Sequence, residues 1–356
     1  MAADNVAAGN VDALRAIAST PPALAEADLR TLLRESYGLE GELQSLLSER
    51  DQNLAVTTAG GERFVLKVAN VAEDPVVTDF QVRALLHLAA QDCAVATPHI
   101  VPTLDGSVST RIRAGDQGYV CRVVTYLAGM PITGQQVGER AAFNIGSALA
   151  NLDAALAGFT HPGDSQPLLW DMQRALEIRP LVKYMSDALL RDAVTDCLDD
   201  FEANVLPYMR AADRQVIHGD LNPGNVLLGD DGVSVAGIID FGDMVRAPAV
   251  VDLAIAASYL RGGGTDPLAL VVAAVAGYAS VLPVADEALA ALHGMIRTRL
   301  ATSITLLQWR LQMRGDGDAY SAASVASEDD AAGFLAVLNA AAKDHFLARL
   351  RGATER

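Results

Sequence analysis

A polar segment in the second half of the chain contains the residues whose types and spacing could do chemistry. It begins with a His-Gly-Asp triplet that ends at Asp220, passes Asn225, and ends with an Asp-Phe-Gly triplet that begins at Asp240. Apolar runs on both sides of the turn at 229–232 predict a hairpin-like pair of strands with these polar side chains at one rim. One carboxylate could then act as a base beside two further oxygen donors.

This set of side chains meets the needs of phosphoryl transfer from a nucleotide. The reaction requires a base near the attacking hydroxyl, oxygen ligands for Mg²⁺, and a cation at the α and β phosphates. Four residues separate Asp220 from Asn225, which is the spacing between the base and the metal-binding amide in kinase catalytic loops. We predict Asp220 as the catalytic base and Asn225 and Asp240 as ligands of Mg²⁺, because oxygen donors suit this hard cation.

The ordered set of motifs resembles the aminoglycoside phosphotransferase family over roughly residues 39–310. The family hallmark is a His-Gly-Asp loop with a downstream Asn and a later Ile-Asp-Phe/Trp motif. The resemblance implies an α+β, bilobal protein-kinase-like fold, with a small antiparallel β-sheet N-lobe and a mostly helical C-lobe. It also implies that Asp220 is the base and that Asn225 and Asp240 bind the metal. It also implies that His218 supports the catalytic loop and that Asp252 braces it, while His218 as the base is a rival interpretation.

The phosphate-binding cation is expected in the first third of the chain. The segment 64–68 matches the family strand that ends in the phosphate-binding lysine, and Lys67 is the only lysine before Lys183. Kinases of this type pair that lysine with a glutamate on the next helix. This chain instead has Gln81 at the corresponding spacing, with Asp79 nearby as an alternative. The sequence leaves open which of the two orients the lysine.

Two further stretches are expected to meet the nucleotide. No Gly-x-Gly-x-x-Gly precedes Lys67, and the loop from Ser48 to Asn53 lies where the family places its nucleotide-positioning loop. We predict that Ser48 and the loop amides bind phosphate, with a polar hairpin turn as the alternative. The resemblance implies that Thr125 to Leu127 form the hinge that meets the base. Because hinge amides can read either purine, ATP and GTP both remain open as the donor.

The acceptor is expected to be a small molecule. Gly219 stands where protein kinases have Arg, and the segment between Asp240 and the helix expected near Val250 is too short to dock a peptide. The 48–53 loop, the run 237–243 and the segment 169–171 look most like hydroxylysine kinase and the kinase domains fused to class III aminotransferases. This likeness favours an amino alcohol or hydroxy amino acid, with 5-hydroxylysine first. Homoserine, choline, ethanolamine and aminoglycosides are the alternatives.

A zwitterionic acceptor needs a carboxylate for its ammonium and a cation for its carboxylate. Asp171, Asp243 and Arg299 are candidate contacts, and surface or helix-capping roles are the alternatives for all three. A second functional hypothesis is a nucleotide-binding pseudokinase without catalysis. Gln81 favours that hypothesis, whereas the intact set of lysine, base and metal ligands argues against it.

Composition excludes several other classes of protein. The formal charge of −17 argues against a nucleic-acid partner, which would require clustered Lys and Arg. It predicts either a solvated acidic surface or an acidic pocket for a cationic substrate. Cys93, Cys121 and Cys197 are widely spaced and form no Cys-x-x-Cys pair, so neither disulfides nor a zinc site are expected. With no apolar run near the length of a membrane span, we predict a cytoplasmic protein without a membrane partner.

The hydrophobic pattern divides the chain into three parts. Residues 1–35 are predicted as a helical N-terminal extension, 36–127 as the nucleotide-binding lobe, and 128–356 as the helical lobe with the catalytic loop and substrate site. Short strands are expected up to residue 68 and again near the hinge, and Pro75 is expected to open a helix that runs to about Ala90. The segment 315–330 is predicted as a polar loop.

Overall fold

A six-stranded antiparallel sheet in the first part of the chain and a set of helices in the second part form two lobes, which confirms the predicted α+β bilobal architecture. The computed structural model describes residues 20–48, 50–132, 137–262, 264–314 and 319–355, and the side chains of these residues except 314–329. Residues 1–19 of the predicted extension, Glu49 of the predicted phosphate loop and 315–318 of the predicted polar loop lie outside this description.

The sheet of the small lobe has the strand order β1-β2-β3-β6-β4, with β5 paired to β6. The strands of this sheet are β1 (Gly41–Leu46), β2 (Gln52–Thr58), β3 (Arg63–Val68), β4 (Ile100–Val101), β5 (Thr110–Ala114) and β6 (Gln117–Thr125). Two small ladders follow, built from β7 (Met130–Pro131), β8 (Gln215–Ile217), β9 (Val226–Leu228), β10 (Val235–Ile238) and β11 (Val245–Ala247). In these ladders β9 pairs with both β10 and β7, and β8 pairs with β11.

The helices of the described residues lie mostly after the hinge. The small lobe contains α1 (Glu26–Leu32), continued by a π-helical turn (Leu33–Tyr37), and α2 (Pro75–Ala90). The large lobe contains α3 (Glu139–Leu156), a 3₁₀ stretch (Met172–Tyr184), α4 (Ala188–Asp200) with a π-helical turn (Phe201–Val205), α5 (Leu206–Ala211), α6 (Val250–Tyr259), α7 (Ala269–Ala279), α8 (Asp286–Arg314), α9 (Ala319–Ala340) and α10 (Lys343–Thr354).

The predicted boundary between extension and lobe, at residues 35 and 36, falls inside the continuous helical stretch of α1 and its π turn, which ends at Gly38 in the left-handed conformation. Leu29 and Leu33 from this stretch pack with Leu66 and Val123 of the sheet in one buried apolar cluster. Burial of apolar side chains is the main favourable term in packing. The described part of the extension is therefore part of the small-lobe core.

Helix α2 begins and ends where the sequence predicts. Asp74 caps its N-terminus by accepting a hydrogen bond from the backbone N–H of Val76 at 2.9 Å, and Pro75 occupies the first helical position, where no N–H is needed. Its buried side includes Phe80, which packs in the core cluster of the large lobe, and Gln81, which meets Arg122 of β6.

The large lobe is held together by long helices that cross closely. A Cβ added at Gly146 of α3 would lie 1.9 Å from the carbonyl oxygen of Ala274, and one added at Gly277 of α7 would lie 1.9 Å from that of Phe143. The two helices therefore touch backbone to backbone, which only glycine permits. The predicted loop at 315–330 is wrong for its described part, because α9 already begins at Ala319 and packs on α8. No helix among the described residues is long and apolar enough to cross a membrane.

Candidate active site

The catalytic loop lies between two short strand pairs. Strand β8 leads into it and pairs with β11, while β9 and β10 form the predicted hairpin after it. Gly219 in the loop has φ of 80°, and a Cβ at this position would lie 2.2 Å from the backbone oxygen of Asp243. Only glycine fits so close an approach at a positive φ. The His-Gly-Asp triplet is thus packed directly against the Asp-Phe-Gly segment.

His218 is fully bonded within the loop. Its Nε2 lies 3.0 Å from the backbone oxygen of Ile239, and its Nδ1 lies 3.3 Å from the backbone N of Asp220. The carbonyl can only accept and the N–H can only donate, so the network assigns a neutral ring with the proton on Nε2. Phe241 packs edge-on against the ring. This geometry supports the scaffold role of His218 rather than the rival role of a base.

Asp252 braces the catalytic loop from the start of α6, as the resemblance implies. Its carboxylate accepts hydrogen bonds from the backbone N–H groups of His218 at 2.6 Å and Gly219 at 2.8 Å, and its side chain is inaccessible to solvent. A second buried carboxyl, Asp153 of α3, accepts a hydrogen bond from the Tyr278 hydroxyl at 2.7 Å. Burial and the charge of Asp252 raise the pKa of Asp153 well above its usual range. Asp153 is therefore the protonated member of the pair and donates to Asp252.

Replacing Asp153 by Asn is expected to stabilise the fold at neutral and higher pH. An acid whose pKa is raised by folding contributes stability that is full below its unfolded pKa of about 4 and is lost as the pH rises, by up to roughly 1.4 kcal/mol per pH unit. An Asn amide keeps the hydrogen bonds to Tyr278 and Asp252 and does not ionise. Thermal unfolding at pH 5 and pH 8 measures the effect. The prediction is contradicted if Asp153→Asn is destabilised as much as the control Asp153→Leu, which cannot donate.

Asp220 and Asn225 meet as predicted at the rim of the hairpin. The amide nitrogen of Asn225 donates to the backbone oxygen of Asp220 at 2.8 Å, which commits its nitrogen to the loop and leaves its Oδ1 as an oxygen donor. The Asp220 carboxylate accepts at Oδ2 from Asn222 Nδ2 at 2.7 Å. Asn222 was not singled out in the sequence, although it follows the base by two residues.

Asp240 is held in a conformation that aims its carboxylate at Lys67. It has φ of 63°, which is the left-handed region and uncommon for a residue other than glycine. Lys67 Nζ lies 3.1 Å from Asp240 Oδ1, and this lysine lowers the pKa of Asp240 to about 2. Asp240 is therefore ionised, and its side chain is accessible because it is 54% exposed. With Asn225 Oδ1 it offers the few oxygen ligands that Mg²⁺ takes from protein when phosphates supply others.

Neither Gln81 nor Asp79 orients Lys67, so both predicted partners are wrong. Gln81 accepts a hydrogen bond from Arg122 and its amide lies 3.4 Å from Glu73, while Asp79 lies 3.3 Å from Arg83. The reason is the strand pairing of β3 with β6. It places Arg122 directly opposite Lys67, and the guanidinium takes the position beside α2 that the lysine was expected to take.

Arg122 is the centre of a charge cluster that the sequence did not reveal. Its side chain is 2% exposed and lies 3.9 Å from Asp51. Glu73, which accepts from the Thr78 hydroxyl at 2.6 Å, is also close, and burial followed by the charge of Asp51 raises its pKa. An arginine in a strand gives no local signal of this role. Only the register between the strands brings these residues together.

The predicted nucleotide contacts surround the same cleft. Ser48 Oγ accepts from the backbone N–H of Asp51 at 3.2 Å, which ties the β1–β2 loop into a turn. At the hinge, the N–H of Thr125 donates to His99 at 2.9 Å and that of Tyr126 donates to Arg63 at 3.1 Å. Both of these amides are used within the protein. Leu127, the last residue of the predicted hinge, also lines the cavity.

Of the three predicted acceptor contacts, Asp171 is the one the structure does not support. Its carboxylate caps the 3₁₀ stretch by accepting from the backbone N–H of Gln173 at 3.0 Å, and burial raises its pKa. Asp171 does not line the cleft, whereas the other two candidates do. Asp243 forms an ion pair with Arg50, and Arg299 forms one with Asp220 at 2.5 Å.

One cavity of about 800 Å³ joins these parts. Its wall includes the catalytic set and the small-lobe cluster on one side, and aromatic and basic side chains of the large lobe on the other. The residues of the second side are Trp170, Tyr259, Arg261, Arg299 and Arg310. The volume is in the range of pockets for small ligands. The arrangement brings the carboxylate of Asp220, the oxygen donors of Asn225 and Asp240 and the ammonium group of Lys67 into one cleft, with basic side chains of the large lobe beside Asp220.

Comparison with known proteins shows the family to which the chain belongs. Residues 42–291 match the model of the family described as "Phosphotransferase enzyme family". Hydroxylysine kinase of Mus musculus is 26% identical over 328 residues, with 85% of this chain and 87% of that protein covered. A microcompartment-associated aminopropanol kinase superposes with a TM-score of 0.68 at 19% identity, covering 93% of this chain and 99% of the other.

A second solved structure has the same fold. The amicoumacin kinase hAmiN, determined in complex with AMP-PNP, Ca²⁺ and its ligand, superposes with a TM-score of 0.65 at 15% identity, covering 87% of this chain and 94% of the other. These likenesses confirm the predicted protein-kinase-like fold. The family match, which spans most of the chain, confirms the resemblance inferred from the His-Gly-Asp and Asp-Phe-Gly motifs. The chain therefore belongs to the phosphotransferase enzyme family and is a small-molecule kinase.

Proposed function

We propose that the protein uses Mg²⁺ to transfer the γ-phosphoryl group of ATP or GTP to a hydroxyl of a small amine-bearing metabolite, with 5-hydroxylysine as the first candidate. The observation that supports this most directly is the meeting of Asp220, Asn225, Asp240 and Lys67 around one cavity. Each of these groups supplies one of the needs of phosphoryl transfer, and the protein has little covalent chemistry to do beyond positioning them.

In this proposal Asp220 receives the proton of the acceptor hydroxyl. The hydroxyl oxygen forms a bond to the γ-phosphorus, the bond from that phosphorus to the bridging oxygen breaks, and the nucleoside diphosphate leaves. Lys67 holds a positive charge at the donor phosphates. Asn225 and Asp240 would hold Mg²⁺, which when bound neutralises charge on the phosphates. His218 and Asp252 keep the loop in position through the hydrogen bonds described above.

An amine-bearing acceptor is supported by the charges near the base and by the relatives. The Asp243 carboxylate lies in the cavity wall, and although burial raises its pKa, the neighbouring Arg50 acts in the opposite direction. We assign Asp243 as the partner of an acceptor ammonium group. The matching relatives that are named hydroxylysine kinase make 5-hydroxylysine the first compound to test.

The pseudokinase alternative loses its main support. Gln81 favoured it, because a catalytic kinase was expected to hold its lysine with a glutamate on the helix. In this fold Lys67 is held instead by Asp240, and Gln81 is the partner of Arg122. The neutral side chain on α2 is thus accounted for without a loss of catalysis.

Release of nucleoside diphosphate tests the proposal. ATP and GTP are each offered with 5-hydroxylysine, homoserine, ethanolamine, choline or an aminoglycoside, and Asp220→Asn serves as the inactive control. We expect turnover with one amine-bearing alcohol that the Asp220 variant abolishes. No turnover with any compound, together with intact thermal stabilisation by Mg²⁺-nucleotide, would instead support the pseudokinase.

A further inference from the structure

The predicted base is already engaged by a buried arginine. Arg299, on α8, is 5% exposed, and its Nη2 lies 2.5 Å from Asp220 Oδ1. The same nitrogen lies 3.2 Å from the Tyr259 hydroxyl, and Nη1 donates to the backbone oxygen of Trp170 at 3.2 Å. Although burial acts to lower the pKa of Arg299, Tyr259 and Asp220 raise it above its usual value. The guanidinium is therefore a fixed positive charge against the base.

This contact competes with the step that Asp220 must perform. A general base has to accept a hydrogen bond from the reacting hydroxyl within roughly 2.6–3.2 Å. In the structure Oδ1 of Asp220 accepts from Arg299, and Oδ2 accepts from Asn222. The Asn222 contact belongs to the loop itself, whereas Arg299 comes from a helix 79 residues away in sequence. Each carboxylate oxygen can accept a second hydrogen bond, so Arg299 hinders the reacting hydroxyl rather than excluding it, and movement of Arg299 leaves Oδ1 unshared.

One hydrogen-bond donor of Arg299 has no partner within the described part of the protein. Its Nε is buried and has no hydrogen-bond partner, which is unusual for a buried polar group. A guanidinium binds a carboxylate with two parallel N–H groups, and Nε with one Nη forms one such edge. The residue lines the cavity together with Arg261 and Arg310. A chain with a net charge of −17 thus presents a basic wall beside its base.

We propose that the acceptor bears a carboxylate and that this group binds Arg299, draws the guanidinium off Asp220 and so frees the base. The inference rests on the proposed function and narrows its acceptor to hydroxy amino acids, because an amino alcohol without an acidic group offers Arg299 no new partner. Binding of the acceptor then makes Asp220 available to accept the proton of the acceptor hydroxyl. Water, which has no carboxylate, leaves Arg299 on Asp220 and is a poor competitor for the phosphoryl group.

Acceptor-independent hydrolysis of ATP tests the restraint on the base. Arg299→Met removes the guanidinium, and we expect hydrolysis without acceptor to rise roughly 10-fold, the scale of one charged hydrogen bond. Arg297→Met is the matched control, because Arg297 lies on the same helix, is also buried and pairs with Asp196 and Asp200 instead. The control is expected to lose stability without a rise in hydrolysis. Equal hydrolysis by Arg299→Met and wild type overturns the restraint.

Pairs of acceptors that differ only by a carboxylate test whether this group binds Arg299. Homoserine and 3-aminopropanol differ only by the carboxylate, as do 5-hydroxylysine and its decarboxylated counterpart. For the turned-over pair we expect wild type to favour the carboxylate-bearing member by roughly 10- to 100-fold in kcat/KM, and Arg299→Met to lose most of that preference. Equal use of both members by wild type, or a preference that survives in Arg299→Met, overturns the proposal.

Two further controls keep these outcomes separable. Arg299→Lys keeps the charge and loses the planar fork, so it is expected to fold if Arg299→Met does not and to show a weaker preference than wild type. Full preference in this variant also counts against the proposal. If wild type consumes no nucleotide with any hydroxyl compound and matches Asp220→Asn, the proposed function itself fails. Turnover by wild type with unaltered Arg299 variants overturns only the role of Arg299.

Discussion

Replacement of Asp220 by Asn is expected to lower kcat by roughly 10²- to 10⁴-fold while nucleotide affinity stays nearly unchanged. Asparagine still accepts the hydrogen bond from Arg299 and still occupies the volume of the carboxylate, so the loop and the buried guanidinium keep their positions. What is lost is the ability to take a proton. Alanine would remove the same ability but would leave Arg299 buried without its partner, which adds a cost in stability.

Steady-state kinetics with the turned-over acceptor, and calorimetric titration with Mg²⁺-ADP, measure the two halves of this prediction. Wild-type kcat in Asp220→Asn would remove Asp220 from the role of base and return attention to His218. A large loss of nucleotide affinity would mean instead that Asp220 acts through the donor phosphates.

Replacement of Asp240 by Asn is expected to lower kcat/KM by roughly 10²- to 10⁴-fold, because the metal contributes several kcal/mol of charge stabilisation and each 1.4 kcal/mol is a factor of ten. Unlike the Asp220 variant, this one should bind Mg²⁺-nucleotide weakly. The carboxylate has a pKa of about 2 and is therefore charged at any working pH, so its loss removes a full negative charge. Lys67 loses its partner in the same change.

The contrast between nucleotide alone and nucleotide with Mg²⁺ is the informative measurement. In wild type, thermal stabilisation by ADP should increase strongly when Mg²⁺ is added, and in Asp240→Asn that increment should largely disappear. Asp230→Asn, an exposed residue in the turn of the same hairpin, is the control and should behave as wild type. An undiminished Mg²⁺ increment in Asp240→Asn would contradict the metal role.

Much of the site was predictable because its residues are close in sequence. Asp220, Asn225 and the Asp-Phe-Gly segment lie at the ends of one hairpin, so their spacing alone brings them together. The bounds of α2 were predictable for a similar reason, since Asp74 and Pro75 are local signals of a helix start. Local hydrogen bonds and backbone preferences decide such features, and they can be read from neighbouring residues.

The parts that were not predictable depend on contacts between distant segments. Arg122 displaced Lys67 from Gln81 only because β3 and β6 pair in one register, which no local pattern specifies. Arg299 was predicted to meet the acceptor, but its ion pair with the base requires the packing of α8 against the catalytic loop. Asp171 looked like a substrate contact because its capping role becomes visible only once the 3₁₀ stretch is formed.

The pairing of Lys67 with Asp240 has a consequence for regulation. In protein kinases the lysine is held by a glutamate on a movable helix, and the position of that helix switches the enzyme on and off. Here Lys67 pairs with Asp240 and not with a residue of α2, so a shift of α2 would leave this ion pair in place. Two of the ion pairs that join the lobes, Lys67 with Asp240 and Arg50 with Asp243, lie in the wall of the cleft itself. Because salt weakens such pairs, admission of nucleotide to the cleft should respond to ionic strength rather than to the docking of an activator on the helix.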